Sequence, residues 1–586
     1  MKTEPICYTI CPSNPAAHRF EISCCVESPN LSGQSFALPA WIPGSYLIRD
    51  FARHITHIRA ELAGRRIPLD KIDTHTWKTP PLKPNQALRL SYEVYAWDLS
   101  VRGAHLDETH AFFNGTSVFL RVLGQEDRPC VVDIQAPVGE GFKAWRVATT
   151  LPAERAKKRH SFGVYRAENY AELIDHPVEM GHFSAAQFAA CGTPHEIVIT
   201  GQHDCDLLRL TSDLKRLCEW QIRFFGEPAP MPRYLFLITA VGDGYGGLEH
   251  RASTALLCAR NDLPHRNMQE PSDGYRRLLG LCSHEYFHAW NVKRIMPNRF
   301  TSYDLSRENH TTLLWFFEGF TSYYDDLALL RSGLIALKDW LKLTAKSITQ
   351  LQRTPGRHVQ TLAAASFDAW SKFYKADENT ANVGVSYYLK GALVGLVLDL
   401  HLRIASAGKI SLDDVMRALW QNYGQRGIGV GEGEIQREAE QLLGHSLAPF
   451  FADAIDGTKD LPLKKLLAPF GITLKWHAEK HPSFGTKYEN ARGELKLSTV
   501  YDGGPAQLAG LAAGDVVLAL NGVRASPCSF DATLARYRAG DCLKVHAFRR
   551  DELMIFNVCL GAPANDQAEL VPTSRANRLR KDWLRA

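Results

Sequence analysis

The apolar residues of this chain change their spacing twice, and that switch constrains its fold more than any other feature. Over about the first 160 residues they alternate, as in Phe20, Ile22, Cys24 and Val26 and again in Leu88, Leu90, Tyr92 and Val94, the period of a half-buried strand. From Ser272 to about Leu443 the period becomes helical, and past Leu461 it returns to alternation. A multidomain α+β protein is expected. Its parts are a β-sandwich-like domain over 1–165, a β-rich segment over 166–265, a helical segment over 266–460, a second β domain over 461–562 and a basic tail over 563–586.

Composition narrows the function classes. With 586 residues, 45% hydrophobic and 22% charged, the chain can bury several cores, and a net charge of +5 is too small to argue for a nucleic-acid partner. Most of that charge sits between Thr573 and Ala586, where five basic residues face one acid. Leu579 and Trp583, one turn apart, make this stretch a frayed or surface-docked helix. The longest apolar run, Gly391 to Leu398, stops at Asp399, so no membrane span is expected. The N-terminus shows no apolar run of a signal peptide, and the 13 cysteines form no CxxC pair, which suggests reduced thiols and a cytoplasmic setting.

The chemistry concentrates in His284-Glu285-Tyr286-Phe287-His288. On a helix, residues four apart share a face, so His284 and His288 can aim ring nitrogens at one ion while Glu285 lies beside it. Ser272 suits an N-cap, and Tyr275, Leu278, Leu279 and Leu281 carry the helix into the motif. A catalytic zinc takes three protein ligands and leaves a place for water. Glu318, in the second helical pattern Trp315, Glu318, Ser322 and Asp325, is the candidate third ligand, with a structural salt bridge as its competing role. Asp325, two turns on, is either a partner for a ligating histidine's outer N–H or a solvent-facing acid.

Two irregular segments accompany the motif. Leu38 to Tyr46 holds prolines and a glycine that forbid regular structure among aromatics that want burial, so it is expected to be a packed loop. The strand pattern Tyr234 to Val241 runs into the glycine-rich Gly242 to His250, where backbone can approach another group closely; it lacks the Lys-Ser/Thr end of a phosphate loop.

The chain resembles the glycyl aminopeptidase family of gluzincin metallopeptidases. The likeness rests on Trp41 to Tyr46, His284 to Trp290, Leu314 to Tyr324 and Ser386 to Gly391. It implies a thermolysin-like catalytic domain with one zinc held by His284, His288 and Glu318, Glu285 as base, and preference for an N-terminal glycine and then alanine. The string Val500 to Gly522, with Pro505-Ala506, Gly514-Asp515 and Asn521-Gly522 in order, is similar to bacterial PDZ modules, which add a peptide strand to a sheet edge and hold terminal carboxylates. That groove binds a peptide or protein C-terminus, or it is empty and the module only packs.

A more distant similarity, to the aminopeptidase N group, implies two further roles. Gly246-Gly247-Leu248-Glu249-His250 resembles its Gly-x-Met-Glu-Asn segment, with Leu248 and His250 as departures, and makes Glu249 the anchor for the substrate's amino terminus. The segment Tyr388 to Gly391 resembles the one carrying its transition-state tyrosine, which makes Tyr388 the oxyanion donor; a buried structural tyrosine is the alternative. Residues 291–310 are an added excursion relative to that group. The expected activity is a zinc aminopeptidase acting on peptides. Its rivals are a PDZ-recruited zinc endopeptidase and a non-catalytic peptide binder with a vestigial metal site.

Overall fold

The computed structural model describes residues 4–154 and 158–585 and divides into two compact units, 1–309 with 420–430 and 310–419 with 431–586. The first unit opens with a seven-stranded sheet in the order Gly163–Ala167, Cys130–Ile134, Ile6–Asn14, Arg19–Val26, Leu88–Tyr95, Ile55–Leu62 and Arg65–Ile67. Phe20, Ile22, Cys24 and Val26 are all fully buried, because alternate residues of a strand share one face. The expected boundary at 165 falls inside the strand Gly163–Ala167, whose Gly163, Tyr165 and Ala167 turn inward and whose backbone pairs with Cys130–Ile134.

A five-stranded sheet in the same unit carries the glycine-rich segment. Its order is Phe183–Ala190, Thr193–Thr200, Tyr234–Val241, Ser253–Ala259 and Tyr245–Glu249. The last of these is an edge strand, antiparallel to Ser253–Ala259, so one row of its backbone groups faces away from the sheet. The motif helix Asp273–Phe287 is capped by the Ser272 hydroxyl, which accepts from the Tyr275 amide. It buries Tyr275, Leu278, Leu279, Leu281 and Cys282, with burial driving the Cys282 thiol far up, out of any nucleophilic range.

The second unit is helical to about residue 467. The helix Tyr387–Ala405 packs on Gly319–Arg331 so closely that a Cβ added to Gly319 would lie 2.5 Å from the Cα of Gly391. One stretch, Thr380–Ala405, is long and apolar enough to cross a bilayer by length and hydropathy, which departs from the expected absence of any such segment; 67% of its apolar window is buried inside the unit. Its Asp399 accepts from Arg403 (2.9 Å), Tyr323 (2.8 Å) and the Leu412 amide (2.9 Å), the pairing of a core helix.

The rest of the second unit is a small β module built on a sheet ordered Thr486–Ala491, Glu494–Val500, Val516–Leu520, Cys542–Arg549 and Glu552–Cys559, with Val523–Arg524 paired to Val516–Leu520. Two short helices, Pro505–Leu508 and Phe530–Leu534, close its core of Leu495, Leu497, Val517, Val545 and Val558. The register sets Cys542 opposite Cys559, and the two form a disulfide, so the expectation of uniformly reduced thiols fails at this pair.

The expected tail is a strand and a helix. Asn565–Pro572 pairs with Ile472–Ala478, and Arg578–Leu584 docks through Trp583, which is fully buried against Trp340 and Phe470. The Trp583 indole donates to the Tyr323 hydroxyl (3.0 Å), and its carbonyl accepts from Arg331 (2.7 Å). A tryptophan of that area docks the segment despite the surrounding charge.

Candidate active site

In the first unit the motif helix sets His284 and His288 with ring centroids 4.6 Å apart and nearly perpendicular. His288 Nδ1 lies 2.6 Å from the Asn291 carbonyl, which can only accept, so this nitrogen carries the proton and Nε2 is the ring atom that could ligate a metal. Glu285 is buried at 5% exposure. Glu249, at the end of the edge strand, is buried at 4% exposure, and its Oε1 has no hydrogen-bond partner among the described residues. Glu249, Glu285 and His288 each offer an atom within 4.8 Å of the others.

Close backbone approach shapes this corner. A Cβ on Gly247 would overlap the Glu285 carboxylate, so only glycine lets the edge strand pass over the helix there. A Cβ on Gly44 would meet Glu249 Oε1 at 2.5 Å, and its φ of +96° also favours glycine. The packed loop expected over Leu38 to Tyr46 is therefore the cover of Glu249. Arg102 Nη2 donates to the Gly247 carbonyl (3.2 Å) and ties the N-terminal β-structure to the same strand.

A buried charge network lies next to Glu249. The Lys293 ammonium donates to Asp175 (3.2 Å), and His250 Nδ1 is 3.5 Å from the same carboxylate. Burial would lower the Lys293 pKa, yet Asp175 and Glu249 hold it above the usual lysine range. Burial also opposes ionisation of Asp175, but Lys293 and His250 keep its carboxyl well below the usual carboxylate range. His250 is pushed down by desolvation against the pull of Asp175. Its departure from asparagine thus has a partner, Asp175, which the sequence pattern did not mark.

The excursion 291–310 also has a place. Trp41 Nε1 donates to the Asp304 carbonyl (2.9 Å), the Ala40 amide donates to the Leu305 carbonyl (2.7 Å), and Tyr46 stacks on Phe300 with centroids 6.1 Å apart. It buttresses the loop that covers Glu249. Neither Lys293 nor the loop contact was legible from spacing, since each depends on residues more than a hundred positions apart.

In the second unit Glu318 is buried at 2% exposure. The single helix expected around it is two pieces, Leu314–Phe317 and Gly319–Arg331, that meet at Glu318. Hydrogen bonds still run through the junction, from the Glu318 amide to Leu314 and from the Ser322 amide to Glu318, both 2.8 Å. The Gly319 contact with Gly391 puts Glu318 near Tyr387, whose hydroxyl is driven well above the usual range by burial and then by the tyrosine and carboxylate around it. Tyr387 is fully buried, whereas Tyr388 is half-buried and its hydroxyl is 3.3 Å from that of Tyr374, so Tyr388 is the more accessible of the two. Asp325 is half-buried on the same helix, with one oxygen accepting the Asp326 amide at 2.5 Å.

Comparison with known proteins gives these features a class. Residues 7–182 match the peptidase M61 N-terminal domain, and residues 277–394 match the M61 glycyl aminopeptidase. An aminopeptidase N family protein from Idiomarina loihiensis is 40% identical, with 99% of this chain and 100% of that one covered at a TM-score of 0.95. An M1 zinc metallopeptidase from Deinococcus radiodurans is 13% identical over 79% of this chain and 95% of its own, with a TM-score of 0.49. Aminopeptidase A of Legionella pneumophila is 12% identical over 97% of this chain and 56% of its own, also with a TM-score of 0.49. No curated protein matches. The molecule is a peptidase. More narrowly, the chain belongs to the M61 glycyl aminopeptidase family.

Proposed function

We propose that the chain is a zinc-dependent aminopeptidase that releases small N-terminal residues, glycine first and alanine next, from peptides. The observation that carries the reading is the buried Glu249 carboxylate, with an oxygen that makes no hydrogen bond among the described residues, at the end of an edge strand beside Glu285 and His288. That oxygen can accept a charge-assisted hydrogen bond, and a peptide's α-ammonium is a donor of the matching kind. Anchoring that ammonium places the first peptide bond at the reacting groups, which makes the activity an exopeptidase.

Zinc is the metal of this reading. The donors are neutral histidine nitrogens and a carboxylate, a set that suits it: His284, His288 with its tautomer fixed by Asn291, and Glu318. When bound, zinc supplies Lewis-acid polarisation of water and of the scissile carbonyl. Glu285 takes the water's proton and returns one to the leaving amine, its carboxylate held in place by the glycine backbone at Gly247. The Tyr388 hydroxyl donates to the developing oxyanion, a role favoured by its exposure relative to Tyr387. Asp325 has no role in the steps above, and its part is to orient a ligating histidine.

The C-terminal β module is proposed to be a PDZ module taking a peptide or protein C-terminus, on the resemblance of Val500 to Gly522 and on two short helices over a five-strand path. It is fastened to the helical part by Asn382, which donates to the Val500 carbonyl (3.0 Å) and accepts from the Asp502 amide (3.1 Å).

A panel of aminoacyl anilides tests the proposal. Cleavage of glycyl and alanyl members, lost to a chelator and restored by zinc, is the expected result. Cleavage of N-acetylated peptides as fast as free ones would replace it with an endopeptidase.

A further inference from the structure

A second cluster of metal-type donors lies in the N-terminal β-structure, outside the peptidase site. His105 belongs to the strand Ala104–Leu106, His110 to the antiparallel strand His110–Phe113, and Asp107 to the turn between them. One ligand atom from each lies within 4.8 Å of the other two. Both rings are buried, at 4% and 7% exposure, with centroids 4.9 Å apart. We infer that His105, Asp107 and His110 form a second divalent-cation site of zinc type, which braces this hairpin.

Three details favour a cation over a set of plain hydrogen bonds. Glu179, buried at 2% exposure, lies 3.0 Å from His110 Nδ1. A carboxylate there holds the proton on Nδ1 and leaves Nε2 as the nitrogen able to ligate, the arrangement that orients zinc-bound histidines elsewhere. His105 Nε2 and Asp107 Oδ2 are 3.2 Å apart, close to the separation of about 3.3 Å between two ligands of a tetrahedral zinc with bonds of about 2.0 Å. Asp107 divides its oxygens accordingly. Oδ1 accepts the Thr109 amide (2.6 Å), the Thr109 hydroxyl (2.6 Å) and the His110 amide (3.0 Å), which fixes the carboxylate and leaves Oδ2 facing the ring.

The site is placed to hold structure. The strand His110–Phe113 pairs on its other side with Val178–Gly181, and Arg102, two residues before the hairpin, donates to the Gly247 carbonyl of the edge strand. The chemistry calls for zinc or a similar borderline ion, since two imidazoles and one carboxylate disfavour calcium or magnesium.

The test is metal content. The full-length chain, stripped by a chelator, re-equilibrated with zinc alone and desalted, should carry two zinc ions by mass spectrometry. The chain with His284→Ala and His288→Ala should keep one; retention of none overturns the proposal. The chain with His105→Ala and His110→Ala should also keep one and still cleave glycyl anilide; retention of two overturns it equally. Should that second variant fail to fold, the first still decides. Glu179→Gln should weaken the retained ion about 10- to 100-fold in competition with a chelator, through the ring it orients. No change in affinity would remove Glu179 from the site. If the peptidase site holds no metal, the unaltered chain carries a single ion that His284→Ala and His288→Ala leave in place, so the two readings fail separately.

Discussion

Glycine serves opposite ends in the two units. In the first, the backbone at Gly44 and Gly247 is pressed onto the Glu249 and Glu285 carboxylates, so missing side chains make room for acids. In the second, Gly319 and Gly391 face each other across two helices, and the missing side chains bring backbone to backbone. The first arrangement packs backbone against the two carboxylates proposed for the site, while the second sets the spacing of the scaffold carrying Glu318 and Tyr388. An added methyl should therefore cost activity in one unit and stability in the other.

The largest effect separates chemistry from scaffold altogether. Glu285→Gln should lower turnover by about 10³-fold or more while metal content by mass spectrometry is unchanged. Tyr388→Phe should lower kcat by about 10²- to 10³-fold with little change in KM, and Tyr387→Phe should not. If both tyrosine variants behave alike, the contrast between the buried and the accessible ring is wrong. Gly247→Ala should reduce kcat/KM by about 10²-fold with a nearly unchanged melting temperature, because it displaces Glu285 at an edge strand. Gly319→Ala should instead lower stability by about 1–3 kcal/mol in a denaturant titration, since backbone cannot yield as a side chain does. Glu249→Gln should cost about 10- to 100-fold on free peptides and erase discrimination against N-acetylated ones.

The smallest effect is a pH dependence confined to the first unit. His195 Nδ1 donates to the Thr193 carbonyl and Nε2 accepts from the Tyr286 hydroxyl, each at 2.8 Å, and desolvation lowers its pKa to about 4. The unfolded chain takes up this proton near pH 6.5, which the folded ring refuses until about pH 4. Its contribution is complete above pH 6.5 and is lost as pH falls towards 4. His195→Gln should flatten the fall in melting temperature across that window.

The legible parts of the chain were those whose physics is local. The strand alternation near Phe20, the Ser272 cap and the four-residue spacing of His284 and His288 are properties of short stretches, and each stands in the structure. Glu249 is marked by a five-residue resemblance, which says nothing of its burial. What the sequence concealed is long-range. Lys293 meets Asp175 across 118 positions, and Trp583 meets Tyr323 across 260. The helix interruption at Glu318 was hidden because its hydrogen bonds continue and the apolar pattern does not break. The pairing of Asn565–Pro572 was hidden because a two-strand ribbon carries little alternation to detect. His105 and His110 passed unremarked because a hairpin, unlike a helix, gives no fixed residue interval at which ligands converge.

The buttress between the Trp41 loop and the excursion 291–310 bears on how such proteins diversify. Asp304 and Leu305 lend their carbonyls to Trp41 and Ala40, and Gly44 roofs Glu249, so part of the proposed peptidase centre is built from residues near the start of the chain. A shortened enzyme made by deleting the first β domain would open that centre to solvent. In lineages that shuffle domains, this portion should be inherited with its catalytic half as one block.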